Sequence, residues 1–350
     1  AAGLLVAGCR LKGLMQTPQP TPTDTPRPVS SATSPQSSSS PTGVARGIYP
    51  GRVVWVHNPD ATHWDGSTGY WWQDGNTDQR VVSAMLSQAL RQQTGQPDDA
   101  TAWNALFSHF NETHGRPGAG YRSGEKIAIK LNLNACDSRI CQDNGSFVAP
   151  QLICALLQQL VTSAGVPGTD ITVYDATRCI PDSIYDRCHV PELAGVHFVD
   201  WSGGDGREAY SRDLSCRIHW SEDVKGNPTY LPTCVTQAQY IINLASLKGH
   251  NLAGVSLCAK NHFGSICSDL NGKPTQQAPQ GANIHGYIAA HDYGWGEPDW
   301  TWPQRPMGTY NALVDLMGHK HLGEKTLLFM LDALYVAQYQ SAKLTGDSRW

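Results

Sequence analysis

The spacing of apolar and polar positions along the chain predicts an α/β fold: a mostly parallel sheet flanked by helices, with irregular Trp/Gly-rich loops. Residues 52–57 (RVVWVH) read as a first strand. Val81, Val82, Met85, Leu86, Ala89 and Leu90 then share one helical face, with Thr77 or Asp78 as N-cap and Gly95 ending the run. A shorter helix over 98–111 carries Trp103, Leu106, Phe107 and Phe110. Residues 126–133 (KIAIKLNL) read as a strand, 150–165 as an amphipathic helix and 170–175 (DITVYD) as a strand, together a β-α-β unit with a right-handed crossover. Residues 196–200, 240–244 and 326–331 are further apolar runs rich in strand formers. The stretch 271–306, rich in Gly, Pro and Trp, reads as a long irregular insertion, and long loops in compact domains are often functional.

Composition changes this picture first at the N-terminus. Twenty of the 26 residues from 17 to 42 are Ser, Thr or Pro, too little apolar surface to offset the entropy of ordering them. Ahead of that tract lies Ala1-Ala2-Gly3-Leu4-Leu5-Val6-Ala7-Gly8-Cys9, which resembles the end of a lipoprotein-type signal peptide with Cys9 as the acylated residue. The alternative for this stretch is a buried apolar strand with a chance cysteine. The expected organisation is a leader remnant over 1–9, a disordered tether over 10–46 and an α/β domain over 47–350. The expected location is the bacterial cell envelope, exported and anchored to the membrane through Cys9. Apart from this stretch no apolar run approaches the roughly 18 to 20 residues that cross a bilayer. A net charge of -4 with 16% charged residues gives no basic face for nucleic acid.

Ten cysteines fit an exported protein. With Cys9 set aside, and Cys154 placed on the apolar face of a helix, eight remain. Adjacent pairing would join Cys136 to Cys141, Cys179 to Cys188, Cys216 to Cys234, and Cys258 to Cys267, one of many arrangements that eight cysteines allow. Free thiols are an alternative. No C-x-x-C spacing supports a zinc or iron-sulfur site.

Ligands of open parallel sheets bind beyond the carboxyl ends of the strands. The predicted strands end there in Lys130, Asn132 and Asn134, in Asp175, in Lys248 and His250, and in Asp332. Lys130, Asn132 and Asn134 share one strand face, as they would on a half-exposed edge also. Residues 248–264 (KGHNLAGVSLCAKNHFG) place two lysines, two histidines and two asparagines within one segment, with a short helix expected over 254–261. Lys130, Lys248 and Lys260 could bind an anion that Asn132, Asn134 and Asn261 orient, while His250 or Asp175 moves protons. Lys260, desolvated, could instead act as a base or an amine nucleophile. The alternative is a capped surface helix with solvated lysines.

Six histidines, among them His291, His319 and His321, crowd the last third without the spacing of a specific metal motif, and no metal is assigned. Trp64, Trp71, Trp72, Trp295, Trp300 and Trp302 sit in Gly-rich loops. They would either pin those loops to the body or form a stacking surface for a glycan or other cell-surface ligand, the alternative to an enzyme.

Three segments carry a resemblance to domain of unknown function 362, covering about 123–332. They are Ile129-Lys130-Leu131-Asn132, Val173-Tyr174-Asp175, and the pattern Ile242-Asn243, Leu247-Lys248, His250, Gly254, Ser256-Leu257, Lys260-Asn261 and Gly264. The resemblance implies no particular reaction or cofactor. Some members carry ferredoxin-type cysteine motifs, which this chain does not have. Related exported proteins continue past the position of Trp350 with an acidic segment, so a chain shortened at both ends is expected.

Overall fold

The computed structural model describes residues 2–7, 46–134, 138–141, 144–224, 229–250, 253–267, 269–270, 273–274, 284–288, 305–306, 308–340 and 342–349. Its strands are β1 (Ala2–Ala7), β2 (Val53–His57), β3 (Ile127–Lys130), β4 (Ile171–Tyr174), β5 (His197–Asp200), β6 (Glu208–Ala209), β7 (Arg212–Arg217), β8 (Tyr230–Pro232), β9 (Tyr240–His250), β10 (Gly254–Ser256), β11 (Asp269–Leu270), β12 (Lys273–Pro274) and β13 (Thr326–Ala337). Its α-helices are α1 (Gln79–Thr94), α2 (Asp99–Thr113), α3 (Pro150–Thr162), α4 (Asp182–Cys188), α5 (Thr233–Thr236), α6 (Cys258–Asn261) and α7 (Ala312–Gly318).

One sheet organises the chain, in the order β2-β1-β13-β9-β3-β4-β5-β6, with β10 folded back on β9. Every pairing along that path is parallel, and β10 alone is antiparallel. After β3 the chain builds β4 and β5 on one side; it later returns to lay β9 and then β13 on the other. The order therefore reverses between β3 and β9, the topological switch point where open α/β sheets bind ligands. Both faces are covered, as a parallel sheet requires. Ile127, Ile129, Val173 and Ile242 pack beneath Leu86 of α1, Leu106 of α2 and Leu156 of α3. Ala128, Tyr174 and Ile241 face Leu231, Phe263, Ile266 and Leu316 on the opposite side.

Local signals explain the helix ends. The Asp78 carboxylate accepts from the amides of Arg80 and Val81, and Gly95 closes α1 at φ +69°, a left-handed conformation that glycine adopts without strain. Asp98 caps α2 in the same way. The N-cap of α3, Ala149, has no polar side chain of its own; Asp332 on β13 accepts from its amide at 2.6 Å instead. Burial pushes the Asp332 carboxyl up to about 6, and the amides of Ala149 and Leu334 oppose that rise.

Residues 2–7 form β1 and pair with β2 and β13, the arrangement of the strand alternative for that stretch. Several other expectations are corrected. Cys9 and most of the tether lie outside the described residues. β3 is no half-exposed edge: it lies between β9 and β4 and all four of its residues are buried. The helix expected over 254–261 is a strand, β10, followed by the single turn of α6.

Cys179, Cys188, Cys216, Cys234, Cys258 and Cys267 are not joined in disulfides, so three of the adjacent pairs are not formed; the fourth includes Cys136, outside the described residues. The thiol facing Cys188 is Cys154, brought there by the packing of α3 on α4, and the two hydrogen-bond. Trp64 and Trp71 are fully buried, packed on Tyr335 and, for Trp71, on Phe147. Trp72 is half-buried and stacks on Tyr70. These tryptophans pin the loop to the body; Trp295, Trp300 and Trp302 lie outside the described residues.

Candidate functional site

Lys130 ends β3 and stands in register with Asn243 on β9 and Tyr174 on β4. It is wholly buried. Its Nζ donates to Asp175 Oδ2 at 3.0 Å, to Asn261 Oδ1 at 3.3 Å and to the Leu131 carbonyl, so all three ammonium hydrogens have protein partners. Burial lowers its proton affinity, and the Asp175 charge restores part of it. The other oxygen of Asp175 accepts from the Thr177 amide and hydroxyl, both at 2.9 Å. Lys130 and Asp175, expected to bind the ligand and to move a proton, stand here as a buried ion pair.

From that pair a chain of side-chain hydrogen bonds runs through the switch point. Asn261 Nδ2 donates to Asn243 Oδ1 at 2.8 Å and to the Leu244 carbonyl at 3.2 Å. Asn243 Nδ2 donates to the Cys258 carbonyl and to His262 Nε2, each at 2.9 Å. His262 Nδ1 then lies 3.2 Å from Ser265 Oγ, which is 2.9 Å from the Tyr174 hydroxyl. Burial lowers His262 to about 3, so the ring is neutral and spans the two neighbours as one acceptor and one donor. The packing leaves no room for a side chain at residue 264: a Cβ on Gly264 would stand 2.5 Å from Lys130 Nζ and 2.8 Å from Asp175 Oδ1.

Beyond this network lie amines of a different kind. Lys248 is 1% exposed, and among the described residues its one hydrogen-bond partner is the Ser146 carbonyl at 3.1 Å. Burial, then the charge of Arg178, lowers it to about 7; Asp175 opposes and Lys130 adds to the fall. Half-buried Lys260 holds its Nζ 3.7 Å above the Phe263 ring. Burial first, then Lys248, Arg178 and Lys130, bring it to about 7. Arg178 spans the rim, donating to the Thr177 carbonyl at 3.0 Å and to the Asn134 carbonyl at 3.3 Å. Asn134 itself is exposed and also donates to the Gln340 carbonyl. Asn132 is 7% exposed and its Oδ1 has no hydrogen-bond partner among the described residues.

His250 accepts from the Ala253 amide through Nδ1 at 3.2 Å, and burial with the charge of Lys260 holds it at about 2. A ring held neutral in this way takes up a proton only at a free-energy cost near neutral pH. Its plane lies nearly parallel to His285, 6.3 Å away, and His285 meets the Phe263 edge. Among the described residues no three His, Cys, Asp or Glu side chains are grouped to hold a metal ion. His319 Nδ1 accepts from the His321 amide, a turn contact.

The structure brings Lys130, Asn132, Lys248, Lys260, Asn261, His250 and Asp175 into one region, together with Asn243 and His262, which the sequence reading quoted only within motif segments, and Arg178, which it did not name. Asn243 had a signal, since a lone Asn inside the apolar run YIINL calls for a buried partner. Arg178, three residues past Asp175, stands where a loop leaving β4 reaches back over the site.

The fold and this site define a class of open α/β proteins whose switch point is lined by basic side chains over a buried asparagine-histidine network. Residues 127–338 match the family described as a domain of unknown function (DUF362), and the chain belongs to that family. No curated protein matches the chain.

Proposed function

We propose that the protein is an enzyme acting on an anionic small molecule held at the carboxyl ends of β3 and β9. The observation that carries this reading is an imbalance of charge. Lys130, Lys248, Lys260 and Arg178 converge there; among the described residues Asp175 is the carboxylate that acts on Lys248, it is ion-paired with Lys130, and none acts on Lys260. A buried ammonium without a counterion is costly, and an anionic ligand removes that cost. Lys248 and Arg178 supply the charge, and the orphaned Asn132 Oδ1 supplies an acceptor for a ligand hydroxyl or amide. Amines brought to about 7 are suited to proton transfer near neutral pH, which favours an enzyme over a passive receptor. The glycan-binding alternative loses Trp64 and Trp71, whose faces are enclosed in the core.

The test is calorimetry with inorganic phosphate, pyruvate and citrate. At least one is expected to bind, and Lys248→Met is expected to weaken it by about tenfold or more, the worth of one hydrogen bond to a charged group. Lys320→Met, at an exposed lysine, serves as the control. Equal binding by Lys248→Met and the parent would reject the site.

Export and a lipid anchor at Cys9 form a separate proposal, supported by Val6-Ala7-Gly8-Cys9 and the Ser/Thr/Pro tract. It expects mass spectrometry of the membrane fraction to find acylated Cys9 as the first residue. A mature chain that begins there would lack β1, so an intact Gly8-Cys9 bond would decide for the strand.

A further inference from the structure

We infer that Lys260 is the amine nucleophile of this site and forms a Schiff base with an aldehyde or ketone that also carries a carboxylate or phosphate. The inference rests on the anion-binding reading and adds to it the reactive atom and the substrate class.

A lysine attacks a carbonyl only through its unprotonated amine, so the question is which of the three buried lysines is both neutral and reachable. Lys130 is neither: it is ion-paired to Asp175 and its hydrogens are committed. Lys248 is 1% exposed and tied to the Ser146 carbonyl. Lys260 is half-buried, and among the described residues no hydrogen bond or ion pair reaches its Nζ. Its amine lies over the Phe263 ring, with His285 against the edge of that ring and His250 stacked beside His285. Burial lowers both imidazoles, to about 3 for His285 and about 2 for His250, so neither adds a charge at neutral pH. Among the described residues, the charges acting on Lys260 are the cations Lys248, Arg178 and Lys130. A cationic neighbour and a desolvating wall are the two means by which proteins make a lysine nucleophilic. The same cations then explain why the carbonyl compound should be an anion, since its charged end meets Lys248 and Arg178 while its carbonyl carbon meets Lys260.

The step balances without a further reagent. The Lys260 nitrogen lone pair forms the new C–N bond as the carbonyl π pair moves to oxygen, which takes a proton passed on from the amine. Loss of that oxygen as water leaves the imine. Reaction of the free amine with the carbonyl compound therefore yields imine plus one water, with no change of oxidation state.

Pyridoxal 5′-phosphate, used purely as a chemical probe, combines an aldehyde with a phosphate, and borohydride fixes its imine as a stable secondary amine. The protein is incubated with limiting probe at about pH 7.5, reduced, and mapped by peptide mass spectrometry. A lysine of ordinary pKa near 10.4 is about 0.1% neutral there, whereas one near 7 is more than half neutral, so Lys260 is expected to react about a hundredfold or more faster than an ordinary surface lysine. Excess inorganic phosphate is expected to slow that labelling selectively, and Lys260→Arg to abolish it with the melting temperature preserved. Phosphate binding by calorimetry together with label spread evenly over surface lysines would overturn the inference and leave the anion site standing. Absence of both would remove the anion site as well. Selective label at Lys248 would overturn the assignment of the nucleophile.

Discussion

Replacing Lys130 by Met is expected to destabilise the protein by about 3–5 kcal/mol, the usual consequence of stranding one member of a buried ion pair. The variant leaves Asp175 Oδ2 and Asn261 Oδ1 facing an apolar side chain, 3.0 and 3.3 Å from where the ammonium stood. Domains of this kind are stable by about 5–15 kcal/mol, so much of the total is at stake. Urea unfolding followed by circular dichroism reads the loss. The double variant Lys130→Met with Asp175→Asn removes the stranded charge and is expected to recover more than half of it. A double variant as unstable as the single one would show that the pair does not act as a unit. Gly264 belongs to the same unit, since the space that a Cβ would need is taken by the two charged groups.

The second large effect is on pH dependence. Lys248 and Lys260 titrate near 7 when folded and near 10.4 when unfolded, so between these values the unfolded chain binds more protons. Stability of the unliganded protein is therefore expected to rise from about pH 7 towards 9.5, by up to about 1.4 kcal/mol per pH unit for each lysine. Lys325, lowered to about 8 chiefly by burial, adds in the same direction. Lys248→Met should flatten part of the slope. A bound anion favours the charged amines, so affinity for it should fall over the same window. Thermal unfolding at fixed ionic strength, with and without phosphate, measures both trends. Stability that is flat or falling across that window in the unliganded protein would mean that the two amines keep ordinary pKa values and are paired.

Much of the fold was legible because periodicity is a local property. The runs at 52–57, 126–133, 170–175, 196–200, 240–244 and 326–331 all hold strands of one sheet, and α1 is capped by Asp78 and closed by Gly95 as its local sequence predicts. β9 and β13 run several residues further than their apolar cores suggest, because neighbours on both sides extend the ladder. The helix expected over 254–261 forms only at Cys258–Asn261, since Gly254–Ser256 pair with β9 instead. Adjacency in sequence also misjudged the cysteines, since Cys154 and Cys188 meet through helix packing across 33 intervening residues.

Within the site, sequence alone determined which residue types gather beyond the strand ends: lysine, asparagine and histidine following apolar strands, in a chain otherwise poor in charge. It could not rank them. Lys130, Lys248 and Lys260 are alike as letters. What separates them is the order of strands, which puts Asp175 beside Lys130 and leaves Lys248 and Lys260 among cations, with Lys260 over the Phe263 ring. The free energy of a buried charge depends on every group within several ångströms, and those groups come from β3, β4, β9, α6 and the segment at Ser146, far apart in the chain. Local pattern set the elements; only their packing decided which amine is ion-paired with Asp175 and which stand among cations.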